Sequence, residues 1–275
     1  MKQKVWLITG VSKGLGKELS RQVLDAGDIV IGTVRNEKDQ RAFDNNANAK
    51  SFIIDLAKTE HIDSLISKVI EQYGQIDVLV NNAGFGVFGM IEEFEEQEII
   101  RQFNVNFISV WKLCQAVIPY MRNKGQGIIV QLSSRVGISA GIGNGIYAAS
   151  KFALEGMSES LEQEVKPFGI KVLLVEPGAL RTDFFGESVH YARNEFPLYT
   201  EKLGDIRINT KKINGNQPGN PVAAAQAIIK VVNNDVPTFR LPLTTGTIET
   251  MKAKIADLQN CIVLTEEIAI SVDYK

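Results

Sequence analysis

Val5-Trp6-Leu7-Ile8-Thr9-Gly10-Val11-Ser12-Lys13-Gly14-Leu15-Gly16 is the stretch on which the fold is decided. Four apolar residues in a row read as a strand buried on both faces. Three glycines then fall within eight positions, 9–16. Leu15, Leu19 and Val23 follow at the spacing of one helix face. A turn set between a strand and a helix aims unpaired backbone N–H groups at whatever lies above the sheet. Glycines there let an anionic pyrophosphate, or a neighbouring backbone, come close. A tight turn with no ligand fits the same residues. The spacing departs from G-x-G-x-x-G, with three residues rather than one between the first two glycines.

Outward from this unit the pattern repeats. Short Val- and Ile-rich runs lie at residues 29–31, 52–54, 78–80, 128–132 and 172–175. Between them are helical spacings: Ile62, Leu65, Ile66, Val69 and Ile70, then Phe103, Phe107, Val110, Leu113, Val117 and Met121. A further helix spans residues 147–168, ended by Pro167 and Gly169. Alternation of this kind predicts an α/β fold, a doubly wound (Rossmann-like) parallel sheet covered on both faces. We expect one domain over residues 1–275. Residues 178–220 show no strand alternation and mix polar with aromatic residues, so we expect an irregular lid over a substrate. Two short helices merely covering the sheet edge would fit as well. A helix from Pro221 and a last strand with Phe239 and Leu241 follow.

The end of the second strand reads Ile31-Gly32-Thr33-Val34-Arg35. An acid there would bond the 2′-hydroxyl of NAD. Val34 stands in its place, and Arg35 follows. A guanidinium can hold a 2′-phosphate bidentately. Lys13 in the glycine turn adds a second cation. The pair favours NADP(H), with two solvated surface cations as the alternative. Cofactor contacts are expected across the turn, at Gly10, Ser12, Lys13, Gly14, Leu15 and Gly16, and at Arg35.

Tyr147 and Lys151 are four apart, on one helix face. A phenol ordinarily titrates near ~10, and a nearby ammonium lowers that value. Ser134, thirteen residues earlier, follows the fifth strand at the edge where ligands of such sheets collect. Its hydroxyl could hold a carbonyl oxygen beside the phenol. An amphipathic helix with a solvated lysine would give the same Tyr and Lys.

These motifs, in this order from Lys4 to about Thr182, resemble the short-chain dehydrogenase/reductase family. The set includes T-G-x-x-x-G-x-G (residues 9–16), Asp55-Leu56, Asn81-Asn82-Ala83-Gly84, Asn106, Ser134, Tyr147-x-x-x-Lys151, Pro177-Gly178 and Thr182. The resemblance implies a catalytic set of Asn106, Ser134, Tyr147 and Lys151. Tyr147 would be the general acid in reduction and the base in oxidation. Lys151 would lower its pKa and hold the nicotinamide ribose, and Asn106 would maintain a water relay to Lys151. Asp55, Leu56, Asn82, Ala83, Gly84, Pro177, Gly178 and Thr182 would line the cofactor groove. Homodimers or homotetramers through residues 97–121 and 147–168 are also implied.

The expected activity is NADPH-dependent reduction of a carbonyl, or oxidation of a secondary alcohol, on a small apolar molecule. Phe85, Val87, Phe88, Ile138, Ile142, Ile146, Phe184, Phe185 and Tyr191 are candidates for its pocket, with core packing as the alternative. The stretch from Ser150 to Gly156 is similar to branches acting on steroids and retinoids. An epimerase or dehydratase of the same fold would need a further acid or base, and none is apparent. A non-catalytic NADP(H)-sensing regulator is the remaining alternative.

Composition narrows the partners. The 275 residues carry 30 basic and 32 acidic side chains, net -2, which gives no bulk attraction to nucleic acid or acidic membrane. Cys114, Cys261, His61 and His190 show no metal-ligand spacing. The apolar run at residues 5–8 is too short for a signal peptide or membrane span, so a cytoplasmic location is expected.

Overall fold

In the computed structural model of the chain, residues 3–186 and 189–274 are described. Residues 187 and 188 of the expected lid, and 1, 2 and 275 at the ends of the expected domain, lie outside them. The first units are β1 (Val5–Ile8), α1 (Gly14–Asp25), β2 (Ile29–Val34), α2 (Glu37–Phe43), β3 (Ala49–Ile53), α3 (Ile62–Tyr73) and β4 (Val78–Asn81). A short β5 (Gly86–Phe88) precedes α4 (Glu96–Phe103), a π-turn at Asn104–Ile108 and α5 (Ser109–Lys124). Next come β6 (Gly127–Leu132), α6 (Gly145–Val165) and β7 (Ile170–Pro177). The last third holds β8 (Val189–Tyr191), α7 (Pro197–Leu203), α8 (Ile206–Ile213), α9 (Pro221–Asn233), β9 (Arg240–Leu243) and α10 (Thr245–Ile270).

Seven strands form one parallel sheet in the order β3-β2-β1-β4-β6-β7-β9. The order reverses between β1 and β4, and ligands of such sheets bind above the carboxyl ends at that point. Alternation along β1 shows how both faces are filled. Val5 and Leu7, with Ile129 and Val172, pack under residues of α3, α5 and α6. Trp6 and Ile8, with Val130 and Leu173, pack under Leu19 and Val23 of α1 and Ile228 and Val232 of α9. Each such side chain, removed from water, contributes about 1.5–3 kcal/mol. Among the described residues no helix is long and apolar enough to cross a membrane.

The differences from the sequence reading have local causes. β2 runs on through Gly32, Thr33 and Val34, because the Thr33 hydroxyl accepts from the Gly10 N–H at 3.0 Å and the strand stays stitched to the turn. The long helix expected over residues 97–121 begins at Glu96 and carries a π-turn. Residues 178–220 contain short elements. β8 pairs in parallel with β5 (Gly86 to Val189, Phe88 to Tyr191), while α7 and α8 follow it. Helix α10 was not foreseen.

Candidate active site

The turn after β1 is fastened to the segment after β4. Thr9 Oγ1 accepts from the N–H groups of Asn82 (3.0 Å) and Ala83 (2.9 Å). In return Asn82 Nδ2 donates to the carbonyls of Thr9 (2.8 Å) and Gly10 (3.1 Å). Gly10 has φ +73°, in the left-handed region that favours glycine. Thus two motifs about 70 residues apart fix one rigid edge.

Above it lies a cavity of about 530 Å³, within the size range of small-molecule sites. Gly10, Ser12, Lys13, Gly14 and Leu15 line it, as do Arg35, Asp55, Leu56, Asn82, Ala83 and Gly84. Ser134, Tyr147, Lys151, Pro177, Gly178 and Thr182 share the same space. The expected contact Gly16 and the expected relay residue Asn106 do not. Gly16 faces away, because a Cβ there would stand 2.2 Å from the Gly10 carbonyl and 2.3 Å from Asn82 Nδ2. Its lack of a side chain serves close packing. Asn106 is fully buried behind the wall rather than in it. It accepts from the Phe85 N–H at 3.2 Å and donates to the Phe85 carbonyl at 3.0 Å and to Ser150 Oγ at 3.1 Å. A Cβ on Gly84 would meet Asn106 Oδ1 at 3.3 Å and Lys151 Nζ at 3.7 Å, so both groups stand just behind that glycine. The π-turn carries Asn106 on its inner side, a distortion frequent at functional sites.

Electrostatics at the centre differ from the sequence expectation. Burial pushes the Tyr147 phenol up to about 12, and a hydrogen bond with Ser134 works against the rise. Lys151 Nζ donates to the Leu132 carbonyl at 2.7 Å. Burial brings Lys151 down to about 8, opposed by the charge of Glu155 one turn further on. The protein's own atoms therefore hold a neutral phenol, ready to donate a proton.

Beneath this pair lies a second layer. The Ser133 hydroxyl bonds Glu155, and Arg240 of β9 pairs with Glu155, Glu159 and Glu176. Glu176 is pushed up to about 7, first by burial and then by Glu155, with Arg240 opposing both.

The far wall is aromatic. Tyr147 lies 5.6 Å from Phe184 and 6.1 Å from Phe88 between ring centroids. Of the apolar residues expected there, Phe85, Phe88, Ile142, Phe184 and Phe185 line the cavity, whereas Val87, Ile138, Ile146 and Tyr191 do not. Val87 is buried within β5 away from the cavity lining, and the Tyr191 hydroxyl is turned onto Thr210 at 2.5 Å. Missed in the sequence were Arg101, Val105, Val136, His190, Ile206, Asn209, Thr210 and Ile213. Arg101 and Val105 are four apart, as are Ile206 and Thr210, so helical spacing could have paired them. His190 reaches the cavity because β8 adds to β5, a pairing no local pattern signals. Burial, then the charges of Arg101, Arg35 and Lys13, lower its pKa.

Comparison with known proteins settles the family. The family model described as short chain dehydrogenase matches residues 4–192. The chain belongs to the short-chain dehydrogenase/reductase family. Among the relatives of this dehydrogenase/reductase is a 3-ketodihydrosphingosine reductase from Bacteroides thetaiotaomicron. It is 36% identical over 245 residues, which are 87% of each chain. A short-chain dehydrogenase from Streptomyces avermitilis superimposes with a TM-score of 0.90 at 35% identity, covering 100% of both chains. A metagenomic short-chain oxidoreductase solved in complex with NADP gives a TM-score of 0.61 at 31% identity, over 65% of this chain and 83% of that one.

Proposed function

We propose that the protein is an NADP(H)-dependent oxidoreductase that moves a hydride between nicotinamide and the carbonyl or secondary alcohol of a small apolar substrate. The observation that carries this reading is one cavity shared by Ser134, Tyr147 and Lys151, by the glycine turn, and by Lys13 and Arg35. The residues suit the cofactor. Helix α1 starts with no side-chain cap and no acid in its first turn, which suits an anion at its N-terminus. A Cβ on Gly14 would reach to 3.6 Å from Thr182 Cβ and narrow the gap between the turn and the segment after β7. The end of β2 carries no acid and Arg35 follows it, which suits a 2′-phosphate. The metagenomic relative bound to NADP supports the same reading.

NADP(H), when bound, supplies or accepts the hydride at nicotinamide C4. Tyr147 gives its phenolic proton to the carbonyl oxygen in reduction and removes it in oxidation. Ser134 holds that oxygen by a hydrogen bond. Lys151, when charged, steadies negative charge on the phenol oxygen, and Asn106 backs it from behind Gly84. Since Lys151 titrates at about 8, kcat/KM for reduction is expected to hold through neutral pH and fall above about pH 8. A profile flat to pH 10 would remove its charge from the mechanism.

Phe88, Phe184, Phe185 and Ile206 make the substrate end apolar. The Bacteroides relative is a 3-ketodihydrosphingosine reductase, so an aliphatic ketone of that kind is the first substrate to offer. The test is loss of NADPH absorbance across a panel of aliphatic, aromatic and steroid ketones. Turnover of apolar ketones is expected, and tight NADPH binding without turnover on any member would favour a regulator. Arg35→Ala is expected to weaken NADPH binding by roughly 10- to 100-fold, the loss of one charge-assisted contact. NADH binding should hardly change, and titration with both cofactors checks the ratio. We also propose assembly as a dimer or tetramer through α4–α5 and α6. Exposed Trp111, Tyr120 and Phe152 on those helices support it.

A further inference from the structure

Helix α10 runs 26 residues, and Thr247 is its one buried residue. From Ile255 through Tyr274 every residue is exposed. Large aliphatic side chains stand in water along it: Ile255 is 56% exposed, Leu258 50%, Ile262 58% and Leu264 69%. Its exposed part, residues 255–270, extends for about 24 Å. A helix that buries so little is marginal in water, since most helical stability comes from packing.

The apolar residues are ordered. Ile248, Met251, Ile255, Leu258, Ile262, Thr265 and Ala269 follow one another at alternating steps of three and four. That is the seam of a coiled coil, with isoleucine at three of its four first positions and leucine at the centre. We propose that α10 pairs with α10 of a second copy of this chain, antiparallel, about a two-fold axis near residue 260.

Charge and register select this occupant and this direction. In the antiparallel arrangement the two seam rows interleave, so that Ile262 meets Leu258 and Ile255 meets Thr265. The flanking row then sets Lys252 of one copy opposite Glu266 of the other, twice by symmetry, with Gln259 facing Gln259 between them. A parallel pair would set Lys254 against Gln259 and Cys261 against Glu266, with no opposite charges in contact. The distal end of each helix also reaches the base of the other. A lipid surface is the weaker occupant. Residues 245–275 carry Glu249, Asp257, Glu266, Glu267 and Asp273 against Lys252, Lys254 and Lys275, the reverse of the basic face that membrane-lying helices present.

The chain contains its own probe. Cys261 is exposed and Cys114 is buried. In the proposed pair, Cys261 of one copy faces Cys261 of the other across the two-fold axis. Purified full-length protein treated with a short bismaleimide is expected to give a covalent dimer through Cys261, absent in Cys261→Ser. Leu258→Asp should abolish it and halve the mass measured by light scattering, with the circular dichroism spectrum retained. Lys252→Glu should weaken association about tenfold, the sum of two lost surface pairs. The double exchange Lys252→Glu with Glu266→Lys should restore it. No cross-link in the unsubstituted protein, or one indifferent to Leu258→Asp, overturns the proposal. So does protein that gives no cross-link and sediments with phosphatidylcholine–phosphatidylserine vesicles through α10.

Discussion

Replacing Tyr147 with phenylalanine is expected to lower turnover by about 10²- to 10⁴-fold, the usual value of a positioned proton donor. The change removes one hydroxyl and little else. The ring keeps its neighbours Phe88 and Phe184, at 6.1 and 5.6 Å, so melting temperature and NADPH affinity should stay close to those of the unsubstituted protein. Steady-state kinetics, a cofactor titration and a thermal melt on the same preparation separate the outcomes. Turnover within tenfold of the original would mean that another group delivers the proton. Equal loss of turnover and cofactor affinity would make the tyrosine structural.

The second large effect is on stability. Arg240→Met leaves Glu176, wholly buried, beside Glu155 without a counter-charge. Breaking a buried ion cluster at one partner costs about 3–5 kcal/mol, and the exposure of Arg240 brings that toward about 2–4. The melting temperature should fall by roughly 10 °C. The size of the fall depends on pH. Glu176 is raised from 4.5 to about 7 in the folded chain. Folding therefore favours its protonated form, and that contribution is fully present below the ordinary carboxyl value. It is lost as pH rises through about 7. Without Arg240 the carboxyl rises further, so the deficit should be larger at pH 8 than at pH 6. A deficit equal at both pH values would show that Glu176 is ionised in both proteins. Because Glu155 also bonds Ser133 and influences Lys151, the variant should lose some turnover as well.

What the sequence revealed, and what it hid, follows from the range of the interactions. β1, the glycine turn and α1 were legible because each is fixed by neighbours within a few residues. Ser134, Tyr147 and Lys151 share the cavity because their spacing is set by one strand end and one helix. Gly16 stands outside the cavity because the Gly10 carbonyl and Asn82 crowd it, and Asn106 is held behind the wall by Phe85 and Ser150, partners distant in the chain. Their positions depend on how distant segments pack, and residue type alone does not report that. The aromatic wall was half legible for the same reason. Phe184 and Phe185 follow the segment after β7, whereas His190, Ile206 and Thr210 are brought in by the pairing of β8 with β5 and by the docking of α8. The rise in the phenol's pKa comes from burial, a property of the whole fold that local spacing does not report.

One measurement goes to the centre of the account: reduction of an accepted ketone with NADPH carrying deuterium at the transferable C4 position, followed by mass spectrometry of the alcohol. The account predicts one deuterium on the carbinol carbon, formed at the normal rate only while Tyr147 is present. An alcohol free of deuterium, or labelled equally fast by Tyr147→Phe, would contradict it.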